Sequence, residues 1–348
     1  MATKIFVTGA TGYIGGDALY ALYKKYPDFE YTALVRNSDS GAKVAAEYPK
    51  IHLVYGTLED SDVLEAEAAK ADIVIHTADS SDHEGAAKAI KAGLEKGHSA
   101  EKPGYWLHTS GTGILCWKDM ETKTYGEAPS QQPYDDLERV EELTGLPDKA
   151  FHRDIDKIVL GASSSGVKTA IVCPPTIYGP GRGPGNKKSR QVYILARTTL
   201  EQGHASQLGK GLAEWDNVHV QDLSELFVLL VESAVSGKEN PEIWGEKGYF
   251  LAENGHHSWG QVAKEVAEAA HKQGYIKTTE VSVDPPNEEK GFESLSWGLN
   301  SKGFAKRARK VLGWKPSGKI LEDCIPDIVD GEAAALGLKK GYAEKVSG

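Results

Sequence analysis

Apolar and polar positions along the first half of the chain fall into two kinds of block. Short apolar runs at 5–7 (Ile-Phe-Val), 31–35 (Tyr-Thr-Ala-Leu-Val), 51–55, 72–77 (Asp-Ile-Val-Ile-His-Thr), 105–110 and 168–173 predict strands. Between them, residues 17–26, 61–69 with Leu64 facing inward, 83–96 and 148–162 carry helical patterning. Strand and helix in strict turn predict an α/β fold, a doubly wound parallel sheet with helices on both faces. Ligands bind such sheets at the carboxyl ends of the strands. Those ends are Thr77-Ala78, 110–113 and 174–178.

The first strand runs directly into Thr8-Gly9-Ala-Thr11-Gly12-Tyr13-Ile14-Gly15 and then into helical patterning. In that context the glycines read as a dinucleotide-binding turn: Gly9 for the tight turn, Gly12 for approach of the pyrophosphate, Gly15 for close packing of helix on strand. The helix N-terminus then offers free N–H groups and a positive dipole to phosphate. The second strand ends at Arg36-Asn37, where an NAD enzyme carries a carboxylate. A cation there favours a 2′-phosphate, so NADP(H) is expected over NAD(H). In the alternative, Arg36 is solvated and Asp39 takes a ribose hydroxyl.

After Gly179 the pattern changes. Residues 180–185 (Pro-Gly-Arg-Gly-Pro-Gly) form a loop expected to be a mobile rim of the site. A helix at 189–201, a strand at 215–220 and a helix at 223–233 follow. The expected organisation is a nucleotide-binding Rossmann domain over 1–180, rejoined by 215–235, and a mainly substrate-binding region over 181–348.

The chain has 348 residues, enough for a sizeable core, and a formal charge of −10, which argues against a nucleic-acid surface. Cys116, Cys173 and Cys324 are too scattered for a disulfide framework or a metal cluster, as expected in a reducing compartment. A structural strand begins within four residues of the start, and no apolar run nears the roughly 20 residues that span a bilayer. A cytoplasmic monomer or homodimer with a small-molecule substrate, no metal and no membrane partner is the expectation. The basic run 302–310 reads as a helix with a solvated cationic face around Phe304, Ala308 and Val311, and His256-His257 as a turn.

Several ordered motifs resemble the extended short-chain dehydrogenases/reductases, the group that includes sugar-nucleotide epimerases and dihydroflavonol and cinnamoyl reductases. The opening glycine motif, Val35-Arg36-Asn37, Gly56-Thr57-Leu58-Glu59-Asp60, Asp72 to Ala78 with Thr77, Pro174-Pro175-Thr176-Ile177-Tyr178-Gly179-Pro180-Gly181, Asn217 to Leu223 and Leu312-Gly-Trp-Lys-Pro316 carry the likeness. The resemblance implies a cofactor site at Gly9, Thr11, Gly12, Tyr13, Ile14, Arg36, Asn37, Leu58, Thr77, Ala78, Pro174 and Ile177.

The catalytic apparatus that the resemblance implies is missing. The family uses a Ser/Thr after the fifth strand and a Tyr-x-x-x-Lys on the next helix, and no Tyr-x-x-x-Lys occurs between residues 115 and 175. Counting back from Pro174, with Asp156 one turn beyond the usual lysine, puts His152 at the lysine position and Asp148 at the tyrosine position. A shifted register pairs Arg153 with Lys157 instead. Gly111 falls nearest the serine slot, between Ser110 and Thr112. Candidate proton donors are therefore His152, Tyr178, Ser110 and Thr112, with Lys187, Lys188, Arg190 and Gln191 on the rim. The favoured expectation is an NADP(H)-dependent oxidoreductase on a small carbonyl or unsaturated substrate. A non-catalytic NADP(H)-binding sensor and an epimerase or dehydratase of nucleotide sugars or polyols are the alternatives.

Overall fold

The computed structural model describes residues 2–238 and 240–341. Its frame is a seven-stranded sheet of β1 (Lys4–Thr8), β2 (Glu30–Val35), β3 (His52–Tyr55), β4 (Ile73–His76), β5 (Gly104–Thr109), β6 (Val167–Cys173) and β7 (Tyr249–Leu251). The spatial order is β7-β6-β5-β4-β1-β2-β3, with every pairing parallel. All four residues of β4, and Ile5 to Thr8 of β1, are buried, as strands covered on both faces must be. The order reverses between β1 and β4, which opens a crevice at their carboxyl ends.

The helices are α1 (Tyr13–Lys25), α2 (Ser38–Glu47), α3 (Ser61–Lys70), α4 (Glu84–Gly97), α5 (Arg153–Leu160), α6 (Gln191–Gln202), α7 (Val220–Val235), α8 (Trp259–Lys272) and α9 (Leu321–Ala335), with shorter turns between them. Helix α1 packs on α7, and α4 packs on both α3 and α5. A second core joins α6, α8 and α9 around Trp259, Val266 and Ile325. The first core takes in α7, Ile243 to Ala252 and Ala305 to Trp314 as well as the N-terminal strands.

The structure departs from the sequence pattern in five places. Helix α2 carries few apolar positions, only Val44 and Gly41 being buried, so its pattern is faint. Helix α5 starts at Arg153 rather than near 148, because His152 at its N-cap has φ 67°. His256–Ser258 is a strand paired antiparallel with Glu214–His219, not a turn. The basic run is helical only over Lys306–Val311, and it is not a solvated face. Arg307 is fully buried against Asp136, Leu137 and Glu242, and Lys306 and Arg309 pair with Asp135 and Glu253.

The fifth departure is the Gly/Pro loop, which is fastened down rather than free. Arg182 donates from its backbone N and from Nε and Nη2 to the fully buried carboxylate of Asp17 on α1, at 2.8, 3.0 and 2.7 Å. Ser224 on α7 donates to the same carboxylate at 2.6 Å. Gly183 lies so close to Gly16 that a methyl group would come within 2.6 Å of its Cα, and Gly185 lies against Thr11, whose carbonyl accepts the Asn186 N–H at 2.9 Å.

Candidate functional site

A cavity of about 540 Å³ opens at the reversal of strand order. One side is the glycine turn. Gly9 has φ 81°, a conformation that glycine reaches without strain. A methyl group on Gly15 would overlap the Thr77 Oγ1 and the Gly9 carbonyl, so only glycine lets α1 sit on the ends of β1 and β4. Thr77 Oγ1 donates to the Thr8 carbonyl at 2.7 Å and locks the two strand ends together. Gly12 is the N-cap of α1, and among the described residues no side chain caps the helix. Gly12, Tyr13, Ile14 and Gly15 all face the cavity. Uncapped amides, the helix dipole and no acid in the first turn fit the pyrophosphate of a nicotinamide dinucleotide.

The outer half of the expected cofactor path is an open surface. Arg36 is exposed at the end of β2, without an ion-pair partner among the described residues. Asn37 is a helix cap: its Oδ1 accepts the Ser40 N–H at 2.9 Å. Leu58 packs, half-buried, on the first core beside the turn that Asp60 closes by accepting from Thr57. Ala78 follows Thr77 and donates its N–H to Thr8 Oγ1 at 3.3 Å. Pro174 and Ile177 line the cavity on the side facing β5.

The catalytic candidates divide sharply. Ser110, Thr112 and His152 line the cavity. Tyr178 does not: it is 1% exposed, donates to the Lys319 carbonyl at 2.8 Å and stands edge-on to His219. It is a packing residue, and burial pushes its phenol pKa upward. Asp148 and Lys157 pair with each other at 2.8 Å on the exterior, and Arg153 is buried on the carbonyls of Thr144 and Leu146. The shifted register therefore places no lysine at the site.

His152 is the side chain around which the inner end is arranged. Its αL backbone turns it out of the helix, with Nδ1 2.7 Å from Asp82 Oδ1 and Nε2 toward Gly111. The Asp82 carboxyl lies below its ordinary pKa, because the hydrogen bond and charge of His152 outweigh the raising effect of burial. Asp79, on the same loop, also lines the cavity at φ 43°. Strained backbone of this kind persists where the surroundings hold it in place, and it gathers at functional sites. Among the described residues only Lys123 joins these two as a non-glycine with positive φ.

Behind the floor lies a buried polar layer. The Ser110 and Thr112 hydroxyls make no hydrogen bond of good geometry among the described residues, although Ser110 lies near enough to Asp156 to act on its carboxyl. Burial raises Asp156 to about 6, against the opposing effect of the hydrogen bond from Tyr249 Oη at 2.7 Å. His76, fixed by Thr8 Oγ1 at 2.7 Å, is held neutral by burial with its pKa near 3.

Sequence reasoning missed Asp79, Asp82, Phe151, Trp215 and Phe292, all of which line the cavity. Phe151 and Phe292 stack at 4.5 Å from segments 141 residues apart, and no local pattern announces such a pair. Of the expected rim residues, Lys188, Arg190 and Gln191 line the cavity and Lys187 does not. Among the described residues no group of three His, Cys, Asp or Glu side chains is placed to hold a metal, and no helix is long and apolar enough to cross a membrane.

Residues 9–99 match the NAD(P)H-binding family, and residues 124–244 match the NAD dependent epimerase/dehydratase family. An oxidase of an Acremonium species, UcsJ, is 37% identical over 97% of this chain and 100% of its own length. A Schizosaccharomyces pombe protein is 28% identical over 91% of this chain and 96% of its own. Among solved structures, UDP-glucose 4-epimerase of Thermotoga maritima (TM-score 0.63, 20% identity, 96% of this chain and 100% of that one) shares the fold. So does dTDP-glucose 4,6-dehydratase of Bacillus anthracis in complex with NAD (0.66, 14%, 98% and 100%).

Proposed function

The chain belongs to the NAD-dependent epimerase/dehydratase family, and we propose that it is an NADP(H)-dependent oxidoreductase reducing a small carbonyl or conjugated acceptor, with His152 as proton donor. The observation that carries this is the His152–Asp82 pair, turned into the cavity from a left-handed backbone where the Tyr-x-x-x-Lys helix normally supplies its donor. A bound nicotinamide would supply the hydride. The chain would supply the position and the proton.

Gly12 to Gly15 would hold the pyrophosphate, and Pro174 and Ile177 would flank the nicotinamide end. Arg36 would take the 2′-phosphate, its exposure leaving the guanidinium available for bidentate binding. With Nδ1–H donated to Asp82, the imidazole presents Nε2 to the cavity and carries a transferable proton there when charged. As the acceptor carbon gains its new C–H bond, the carbonyl π pair moves to oxygen. The Nε2–H bond breaks and an O–H bond forms, leaving an alcohol and neutral His152. Asp82, nearly half exposed, keeps the pair in reach of solvent for reprotonation. Asp82 is a positioning residue in this scheme.

The test is calorimetric titration with NADPH and NADH, followed by a carbonyl panel read by loss of NADPH absorbance. NADPH binding about ten- to a hundredfold tighter than NADH, with turnover on at least one carbonyl, is the expected result. Equal affinity for the two cofactors removes the NADP assignment, and tight NADPH binding without turnover across the panel favours a sensor.

A further inference from the structure

We infer that the acceptor is a planar, uncharged aromatic or conjugated carbonyl compound, not a sugar nucleotide or other phosphate-bearing substrate. This rests on the oxidoreductase reading above and gives it a substrate class. Two independent features of the cavity carry it, one attractive and one exclusive.

The attractive feature is a wall of rings beside the proton donor. Phe151 and Phe292 stack at 4.5 Å with 28° between their planes, and Phe151 lies 3.8 Å from the His152 ring. Both rest on the bare backbone of Gly113, where a methyl group would come within 3.0 Å of Phe292 and 3.2 Å of Phe151. Trp215, held by its Nε1–H to the Leu299 carbonyl at 2.6 Å, and Pro175 line the same cavity. Phe151 remains 40% exposed, although it is a large apolar ring inside a cleft. A flat guest would cover that ring at the point where its carbonyl oxygen meets His152 Nε2, and ring-on-ring contact strengthens binding beyond what area burial alone gives.

The exclusive feature is the charge state of the rim. Arg190 is held by both oxygens of Glu293 at 3.0 and 2.6 Å, and Lys188 by the almost fully buried Glu332 at 2.6 Å. Arg182, just before them, is committed to Asp17. The cavity lining thus sets Asp79, Asp82 and Glu293 against Lys188, Arg190 and, when charged, His152, and each of these three cations already has a carboxylate partner. A diphosphate entering this rim would have to displace Glu293 or Glu332 from existing ion pairs and sit beside the carboxylate of Asp79, and like charges brought together disfavour such a guest. The structural relatives named for UDP-glucose and dTDP-glucose share the fold, but the acceptor side of this chain is built for a different guest.

The experiment measures binding apart from turnover. Protein saturated with NADP+, which cannot reduce an aldehyde, is titrated by calorimetry with 2-naphthaldehyde, decahydronaphthalene-2-carbaldehyde and UDP-glucose. The expected result is that naphthaldehyde binds about tenfold more tightly than its saturated counterpart and that UDP-glucose shows no measurable binding. Phe292→Leu and, as a second variant, Phe151→Leu should each cut the preference for the flat aldehyde severalfold without changing NADPH affinity. Equal affinity for the two aldehydes, or binding of UDP-glucose comparable to naphthaldehyde, overturns the inference. Tight naphthaldehyde binding without NADPH consumption in the separate turnover assay upholds the aromatic site and sinks the oxidoreductase reading instead, so the two failures are separable.

Discussion

The two ends of the cavity are made of different material. At the cofactor end the working groups are backbone amides and the spaces that Gly9, Gly12 and Gly15 leave, and at the acceptor end they are side chains from four segments distant in sequence: Asp79 and Asp82, Ser110 and Thr112, Phe151 and His152, and Phe292. A backbone-made site follows from local geometry and tolerates little change in it. A side-chain site can be rebuilt by exchanging residues on a fixed frame, and in the proposed scheme the pair His152–Asp82 would be such an exchange for tyrosine and lysine.

The sharpest test of that contrast is His152→Gln, which keeps hydrogen-bonding capacity but cannot carry a proton. If His152 donates the proton, turnover falls on the order of 10²- to 10⁴-fold while NADPH affinity hardly changes. Near-normal turnover in the variant would reduce His152 to orienting the cofactor or substrate. Gly12→Val attacks the other end: the new side chain starts 3.1 Å from the Gly9 carbonyl and blocks the phosphate's approach. One or two lost charge-assisted hydrogen bonds, at about 1.5–3 kcal/mol each, predict roughly 10- to 10⁴-fold weaker NADPH binding. Circular dichroism should show the fold intact, and unchanged affinity in calorimetry would remove the turn from the site.

Arg36→Ala should cost ten- to a hundredfold in NADPH affinity and leave NADH affinity nearly alone, corresponding to about 1.5–3 kcal/mol for one charged contact to phosphate. A parallel loss for both cofactors would mean that Arg36 does not read the 2′-phosphate. An effect of comparable size, on stability rather than on binding, concerns the layer behind the acceptor end. Burial raises Asp156 from its ordinary 3.8 to about 6. A carboxyl raised on folding lends stability that is complete below its unfolded pKa and is lost as pH rises through the folded value. The wild type should therefore lose about 2–3 kcal/mol from this group between pH 4 and pH 8. Asp156→Asn keeps an acceptor for Tyr249 and does not titrate. Its melting temperature relative to wild type should climb with pH, and a constant difference would show that folding leaves the Asp156 pKa where it is in the unfolded chain.

The same contrast decides what could be read from the sequence. The apolar runs of β1 to β6 and the spacing of Gly9, Gly12 and Gly15 are local patterns, and the structure has strands and a turn at those places. His152 was singled out by counting along a helix, yet the helix begins one residue after it, and the left-handed N-cap rather than helical register turns its ring to the cavity. Asp82 and Phe292 reach His152 and Phe151 only through the tertiary fold. Arg307 shows the opposite error, since a run of cations looks solvated until Asp136 and Glu242 arrive from elsewhere to bury one of them. Tyr178 sits in a motif matching the nicotinamide turn, but its hydroxyl is occupied by Lys319 on the far side.

The clasp between Arg182 and Asp17 has a consequence for how such chains can be recombined. Because Gly183 lies on Gly16, Gly185 lies on Thr11 and a fully buried carboxylate takes three hydrogen bonds from Arg182, the nucleotide half and the segment leading to the acceptor rim are cut to fit each other. A chimera joined at residue 180 carries over the whole glycine turn and still inherits a mismatched seam if its donor lacks an arginine at 182. Its buried Asp17 then keeps the residue-182 N–H and Ser224 but no counter-charge, a defect of about 3–5 kcal/mol. Swapping acceptor specificity between relatives therefore calls for moving residues 9–17 together with 180–190 as one cassette.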